Sequence, residues 1–291
     1  MLKIIISPAK KMEECLDIFM AESSPQYLDR TRILYEKLKA MSEAELQKLF
    51  KANDQITRQN YERFQTMELE RAHTPALLSY VGIQYQYIAP QLFSYDQWEY
   101  VKEHLRILSG FYGILRPEDR VTPYRLEMQA KLAIEKSKDL YGFWGKSLMD
   151  ALVTESGTEQ AKTEAKPQME AKPQTEAKPQ AESEAISGPR KVILNLASKE
   201  YSKAIEKYLT PDIRYVTCMF GVVKDGQVKV KATEAKMARG EMVRFMAERQ
   251  IKEVERILEF EALGYKFRED LSTEDTYTFV RNEGEPTNRR K

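Results

Sequence analysis

Apolar and polar positions along this chain follow two rhythms. Short runs rich in aliphatic residues at 2–6, 105–108, 192–196, 213–217 and 228–230 have the length and composition of strands. Between them the apolar residues recur every three or four positions. Residues 27–50 carry Leu28, Ile33, Leu34, Leu38 and Met41 at helical spacing, and Ser42 stands where it would cap a second helix over 43–50. A further helix is predicted over 55–64. Later, 238–260 alternates charge with Met242, Phe245, Met246, Ile251, Val254, Ile257 and Leu258, as an amphipathic helix or helix pair would. Gly264 is placed to cap it, and 265–267 with 276–280 reads as a closing hairpin. Strands interleaved with helices predict an α/β (mixed α+β) fold, a mixed sheet with flanking helices.

One stretch has neither rhythm. Within 155–189 a six-residue unit ending Glu-Ala-Lys-Pro-Gln occurs three times, at 163–168, 169–174 and 175–180. Almost nothing in it is branched or aromatic, and the proline of each unit interrupts any helix, so a solvated, disordered linker without chemistry of its own is expected. The remainder is read as one compact domain spanning 1–291, interrupted by that linker and ending in a flexible tail over 284–291.

Charge narrows the choice of partners. The 46 Lys and Arg balance 45 Asp and Glu, so no argument for nucleic acid or membrane follows from the net charge of +1. A basic site must be local. No apolar run approaches the roughly 20 residues of a membrane span, and the first residues lack the apolar core and cleavage site of a secretory signal, so no membrane partner and a cytoplasmic location are expected. Cys15 and Cys218 match no redox or zinc spacing, His73 and His104 stand alone, and neither phosphate-loop nor dinucleotide fingerprints occur. No metal and no cofactor are expected, since iron storage would need clustered Glu and His ligands brought together from facing helices.

Candidate chemistry gathers after the strands. Ser7 and Lys10 follow the first, Ser109 follows the second, and Asn195, Ser198 and Tyr201 span the end of the third. Carboxyl ends of strands are where open α/β sheets bind ligands, although a lone serine at such a junction is more often a helix cap. Lys236 and Arg239 are three residues apart, on one face if a helix already runs there, and Gly240 removes a side chain that would obstruct close approach. From Lys224 to Lys252 eight Lys and Arg outnumber four Asp and Glu. Such a surplus alone is commonly a solvated face.

The densest stretch, 108–128, holds Tyr112, Arg116, Tyr124, Arg125 and Glu127 among glycines and prolines. Arg116 and Arg125 would present planar donor forks to phosphate, or pair internally with Asp119 and Glu127. Glu127 beside Tyr124 or Tyr201 could act as a general acid or base. Gly110-Phe111-Tyr112-Gly113 is either the hairpin of a DNA-contacting helix-hairpin-helix or a structural turn.

In order along the chain, Ile6-Ser-Pro-Ala-Lys10, Leu108-Ser-Gly-Phe-Tyr-Gly-Ile-Leu-Arg-Pro117, Pro123-Tyr-Arg-Leu-Glu-Met128, Asp139-Leu-Tyr-Gly-Phe-Trp-Gly145, Asn195-Leu-Ala-Ser198 and Ala235-Lys-Met-Ala-Arg-Gly240 resemble the signature blocks of the YaaA peroxide-stress family. The resemblance implies a cytoplasmic bacterial protein that protects against hydrogen peroxide by limiting unincorporated iron. It also implies a mixed α/β fold with a helix-hairpin-helix-like element and a basic cleft that binds duplex or branched DNA, lined by Lys10, Arg116, Arg125, Lys236 and Arg239. The competing reading of the same polar set, with Ser7, Ser109, Tyr112, Tyr124, Asn195, Ser198 and Tyr201 as pocket and Glu127 as catalytic group, is an enzyme acting on a nucleotide or nucleobase by hydrolysis or glycosyl transfer. Two departures from the family pattern stand out. Gly82-Ile-Gln-Tyr85 replaces a Gly-Asp-Val-Tyr block, and the repeats interrupt the chain between Trp144 and Asn195.

Overall fold

A computed structural model describes residues 1–15, 18–154, 191–224 and 227–282. The repeat linker and the tail expected at 284–291 lie outside the described residues. The sheet has eight strands: β1 (Leu2–Ile6), β2 (Leu105–Ser109), β3 (Gly113–Leu115), β4 (Lys191–Leu196), β5 (Ile213–Lys224), β6 (Gln227–Lys229), β7 (Lys266–Phe267) and β8 (Thr276–Arg281). All five residues of β1 and of β2 are buried, Lys3 and Arg106 included, as in strands covered on both faces, which is why their apolar residues do not alternate with exposed polar ones.

Across the sheet the order is β7-β8-β5-β4-β1-β2-β3, with β6 pairing alongside β5. Pairings among β2, β1, β4, β5 and β8 are parallel, whereas β3, β6 and β7 close antiparallel hairpins. Numbered by their place in the chain, the five parallel strands run 2-1-3-4-5, one of the two common doubly wound orders. The chain leaves β1 for a neighbour on one side and later returns on the other, so the direction of winding reverses between β1 and β4. Register sets Ile6 opposite Leu196, and the two strands end level with each other.

The helices follow from caps and stripes. In α1 (Leu28–Lys39), Thr31, Leu34, Tyr35 and Leu38 are buried. Helix α2 (Glu43–Phe50) begins at Ser42, whose Oγ accepts from the Glu45 N–H while the Glu45 carboxylate accepts from the Ser42 N–H, a reciprocal capping box. Lys51, in the left-handed region at φ +48°, turns the chain toward α3 (Asp54–Thr66), so a short-turned helix pair occupies 43–66. Three more helices matter for the site: α4 (Ile83–Ile88), α5 (Lys199–Glu206) and α6 (Ala232–Glu248). The 238–260 pattern resolves into two pieces. Helix α6 starts six residues earlier than expected and stops at Glu248, Gln250 takes φ +51°, and a 3-10 helix covers Val254–Glu259. Gly264 therefore caps no helix; with Leu263 it forms the positive-φ turn leading into the β7–β8 hairpin.

Gly110–Gly113 is the structural alternative of the two. It forms the turn between β2 and β3, with Phe111 and Tyr112 in the core. A Cβ on Gly110 would lie 2.6 Å from the Leu126 carbonyl oxygen, and one on Gly113, at φ +79°, would lie 2.8 Å from the Trp144 ring. A buried turn of strands cannot serve as a DNA-contacting hairpin; α2 with α3 is one of the short-turned helix pairs among the described residues.

Candidate functional site

Where the winding reverses, the carboxyl ends of β1 and β4 bound a cavity of about 380 Å³. Ser7 and Ser198 clamp those ends. The Ser198 N–H donates to Ser7 Oγ at 2.8 Å, and the two hydroxyls lie 3.1 Å apart. Ser198 is also the residue before α5, yet its side chain makes no capping hydrogen bond, so its hydroxyl is committed to Ser7 and not to its own helix. The Tyr85 hydroxyl donates to the Ser7 carbonyl at 3.0 Å and ties α4 to the same point.

One wall is ionic. Lys10 Nζ lies 2.8 Å from Glu127 Oε1, and Arg125 reaches the same oxygen at 3.3 Å. Two cations thus converge on Glu127 at the cavity wall, with Lys10 largely exposed. Glu200, in the first turn of α5, also lines the cavity and accepts from the Gln129 N–H at 3.2 Å. Burial raises its pKa, and repulsion by Glu127 adds to that; the Gln129 hydrogen bond and the charges of Lys10 and Lys203 pull the other way. The cavity therefore holds two carboxyl groups in unlike environments.

The opposite wall is α6. Its early start makes Lys236 and Arg239 neighbours on one helical face, and both line the cavity. Among the described residues neither has a carboxylate within ion-pair distance. Burial lowers the Arg239 pKa, but a guanidinium remains charged at neutral pH. Its Nε is buried without a hydrogen-bond partner.

Aromatic hydroxyls back the remaining wall. Tyr124 and Tyr201 line the cavity, each nearly covered, and burial drives both phenols well above the ordinary tyrosine range. Tyr124 bonds to Ser109 Oγ at 2.6 Å and to the Tyr80 hydroxyl at 2.8 Å.

Of the residues singled out in the sequence, Ser7, Lys10, Tyr124, Arg125, Glu127, Ser198, Tyr201, Lys236 and Arg239 meet around this one cavity. Four do not line it. Ser109 is buried behind Tyr124, its Oγ accepting from the N–H groups of Phe111 and Tyr112. Tyr112 is buried against Thr122. Asn195 fastens β4 internally, through Thr217 and the Ala197 N–H. Arg116 sits in the next turn, where its N–H donates to Asp119 and its charge acts on Glu118 and Asp119, the internal role that was the alternative to ligand contact.

Sequence reasoning assigns no site role to Glu200 and marks 82–85 only as a departure from the family pattern. The position of Glu200 just past Ser198, in a strand-to-helix junction, is a usable signal. Ile83 and Gln84 are brought to the wall by the packing of α4 on α6. There a Cβ on Gly240 would stand 2.2 Å from the Gln84 carbonyl oxygen, so the close approach allowed by Gly240 is to α4.

Comparison with known proteins agrees along most of the length. The family model described as Peroxide stress protein YaaA matches residues 2–271. A UPF0246 protein of Desulfitobacterium hafniense is 47% identical over 280 residues, covering 96% of this chain and 98% of that protein. Another, from Lachnoclostridium phytofermentans, is 44% identical over 289 residues, covering 99% and 100%. One from Pediococcus pentosaceus is 43% identical over 282 residues, covering 97% and 99%.

Proposed function

The chain belongs to the YaaA peroxide stress family, and from that premise we propose that its cavity is a nucleic-acid site through which it protects DNA and restrains free iron under peroxide. The observation that carries this reading is the pair Lys236 and Arg239, two cations on one helix face with no ion-pair partner among the described residues. Paired cations such as Lys10 and Arg125 have already found their anion; unpaired ones in a concave wall favour a ligand that brings negative charge, and a phosphodiester does so. Because the whole molecule is nearly neutral, attraction to DNA must be local, and this patch supplies cations for it.

Calorimetric titration with a short duplex at two salt concentrations tests it. Affinity should fall steeply with salt, by a log-log slope of about 0.9 for each phosphate contacted. Salt-independent binding, or none, would refute the assignment.

A second reading has its own observation. Glu127, held by two cations, and Glu200, raised by burial, face one cavity, and carboxyl groups with diverging environments are what acid–base chemistry on a nucleotide or nucleobase requires. On this reading Glu127→Gln abolishes turnover of a nucleotide substrate while the melting temperature holds. A binding protein without turnover would show only a change in affinity.

A further inference from the structure

One polar group on the cavity wall answers to none of the ionic contacts. Gln84 is 6% exposed, lines the cavity, and its Nε2 is buried without a hydrogen-bond partner. A buried amide left in that state loses its hydration without recovering a hydrogen bond, a cost that a ligand in the cavity would relieve. Its backbone is fixed from two directions. The next residue, Tyr85, is hydrogen-bonded to Ser7, and the Gln84 carbonyl is pressed against Gly240, the residue that follows Arg239. The residue is therefore held against α6, and it lines one cavity with the unpaired cations of that helix.

Its surroundings are apolar and aromatic. Val81, Ile83, Leu126 and the rings of Tyr85 and Tyr124 line the same cavity. A planar heterocycle is covered well by such a wall, and an amide offers a donor and an acceptor side by side, the pattern that pairs with the edge of a base. Rotation about the terminal torsion exchanges the two ends with little displacement, so either can meet a ligand.

We propose that Gln84 reads the edge of a nucleobase whose phosphate rests on Lys236 and Arg239. The cavity then takes one whole nucleotide unit, free or turned out of a DNA strand, and distinguishes its base. This deepens the nucleic-acid assignment and rests on it.

The test is calorimetric, on the full chain. The titrants are the four deoxynucleoside 5′-monophosphates, 2-deoxyribose 5-phosphate, and two short duplexes, one fully paired and one carrying a single mispair. Wild type should bind at least one monophosphate, or the mispaired duplex over the paired one, at least tenfold more tightly than the matched control without a readable base. In Gln84→Met, which keeps the side-chain length, that preference should fall about tenfold, while affinity for the sugar phosphate and the melting temperature hold. Preference among free monophosphates identifies the free nucleotide as the source; preference confined to the mispaired duplex identifies the turned-out one. Equal affinity for nucleotides and sugar phosphate, or a Met variant that keeps the wild-type preference, overturns the proposal. If the Met variant is unstable, Gln84→Glu decides: its ranking of the bases must change. Binding of both duplexes equally, with no monophosphate bound, sinks the base-reading role and leaves the DNA assignment standing. No binding of any titrant ends both.

Discussion

At the scale of single residues, the cavity cations and a buried acid pair give opposite lessons about charge. Lys236 carries no local partner among the described residues, so Lys236→Glu should weaken duplex binding uniformly across sequences and reduce the salt slope by about 1 in titrations, with the fold intact. Glu118 and Asp119 lie outside the cavity, 7% and 2% exposed. Burial pushes Glu118 up to about 7, with the charge of Asp119 adding to it, and Asp119 up to about 6, although Arg106 and Arg116 act in the other direction. Both groups hold protons more tightly folded than unfolded. Between about pH 4 and pH 7 the folded chain then binds the extra protons, and stability from these groups falls as pH rises through that window. Glu118→Gln removes one of them, so urea denaturation at pH 5 and pH 7.5 should show a smaller loss of stability with pH than in wild type. An unchanged loss would place its origin elsewhere.

At the scale of elements, the close seating of α6 on α4 decides whether the site forms. In an isolated helix Gly→Ala gains up to about 1 kcal/mol. Here a methyl at Gly240 would collide with the Gln84 carbonyl oxygen at 2.2 Å and with the Tyr87 Cβ at 2.8 Å, so the sign reverses. Gly240→Ala should destabilise the protein by about 1–3 kcal/mol in urea unfolding and weaken ligand binding, because backing α6 away displaces Lys236 and Arg239. This contact also marks what the sequence could disclose. Helices α1 to α3 and the strands other than β3 are legible because each carries its own periodicity, cap or apolar run, whereas β3 is three residues long and follows directly on a glycine turn. Helix α4 is six residues long, and no local pattern says that it will lean on α6, so Gln84 stayed hidden while Lys236 and Arg239 did not. Arg116 and Ser109 show the reverse: their chemistry suits a pocket, but neighbours a few residues away claim it first.

At the scale of the whole molecule, the buried apolar residues form one cluster built from both sides of the repeat segment, from Leu2 to Phe279. The Glu-Ala-Lys-Pro-Gln units have almost no side chain able to join it. Replacing 157–188 with a Gly/Ser stretch of equal length should leave the melting temperature and duplex affinity unchanged, whereas a fall in either would give the repeats a part in the fold or in binding. Strand order itself is not written in any local pattern. That the first strand sits between the second and third, and that the site lies at that junction, depends on pairings between residues about 100 and 190 positions apart, as Ile4 with Leu105 and Ile6 with Leu196 show.

The central place of β1 has a consequence in time. It leaves the ribosome ahead of its partners, β2 and β4, which follow only after roughly 100 and 190 further residues, a wait on the order of 10–40 s for the second at ordinary rates of synthesis. Throughout that interval five consecutive residues destined for full burial have no sheet to enter. The serine clamp closes only once Ser198 has emerged, and the cations of α6 come later still. A nascent chain that stops short of α6 therefore lacks the clamp's second serine or the unpaired cations, and ligand binding reports that synthesis has passed that helix.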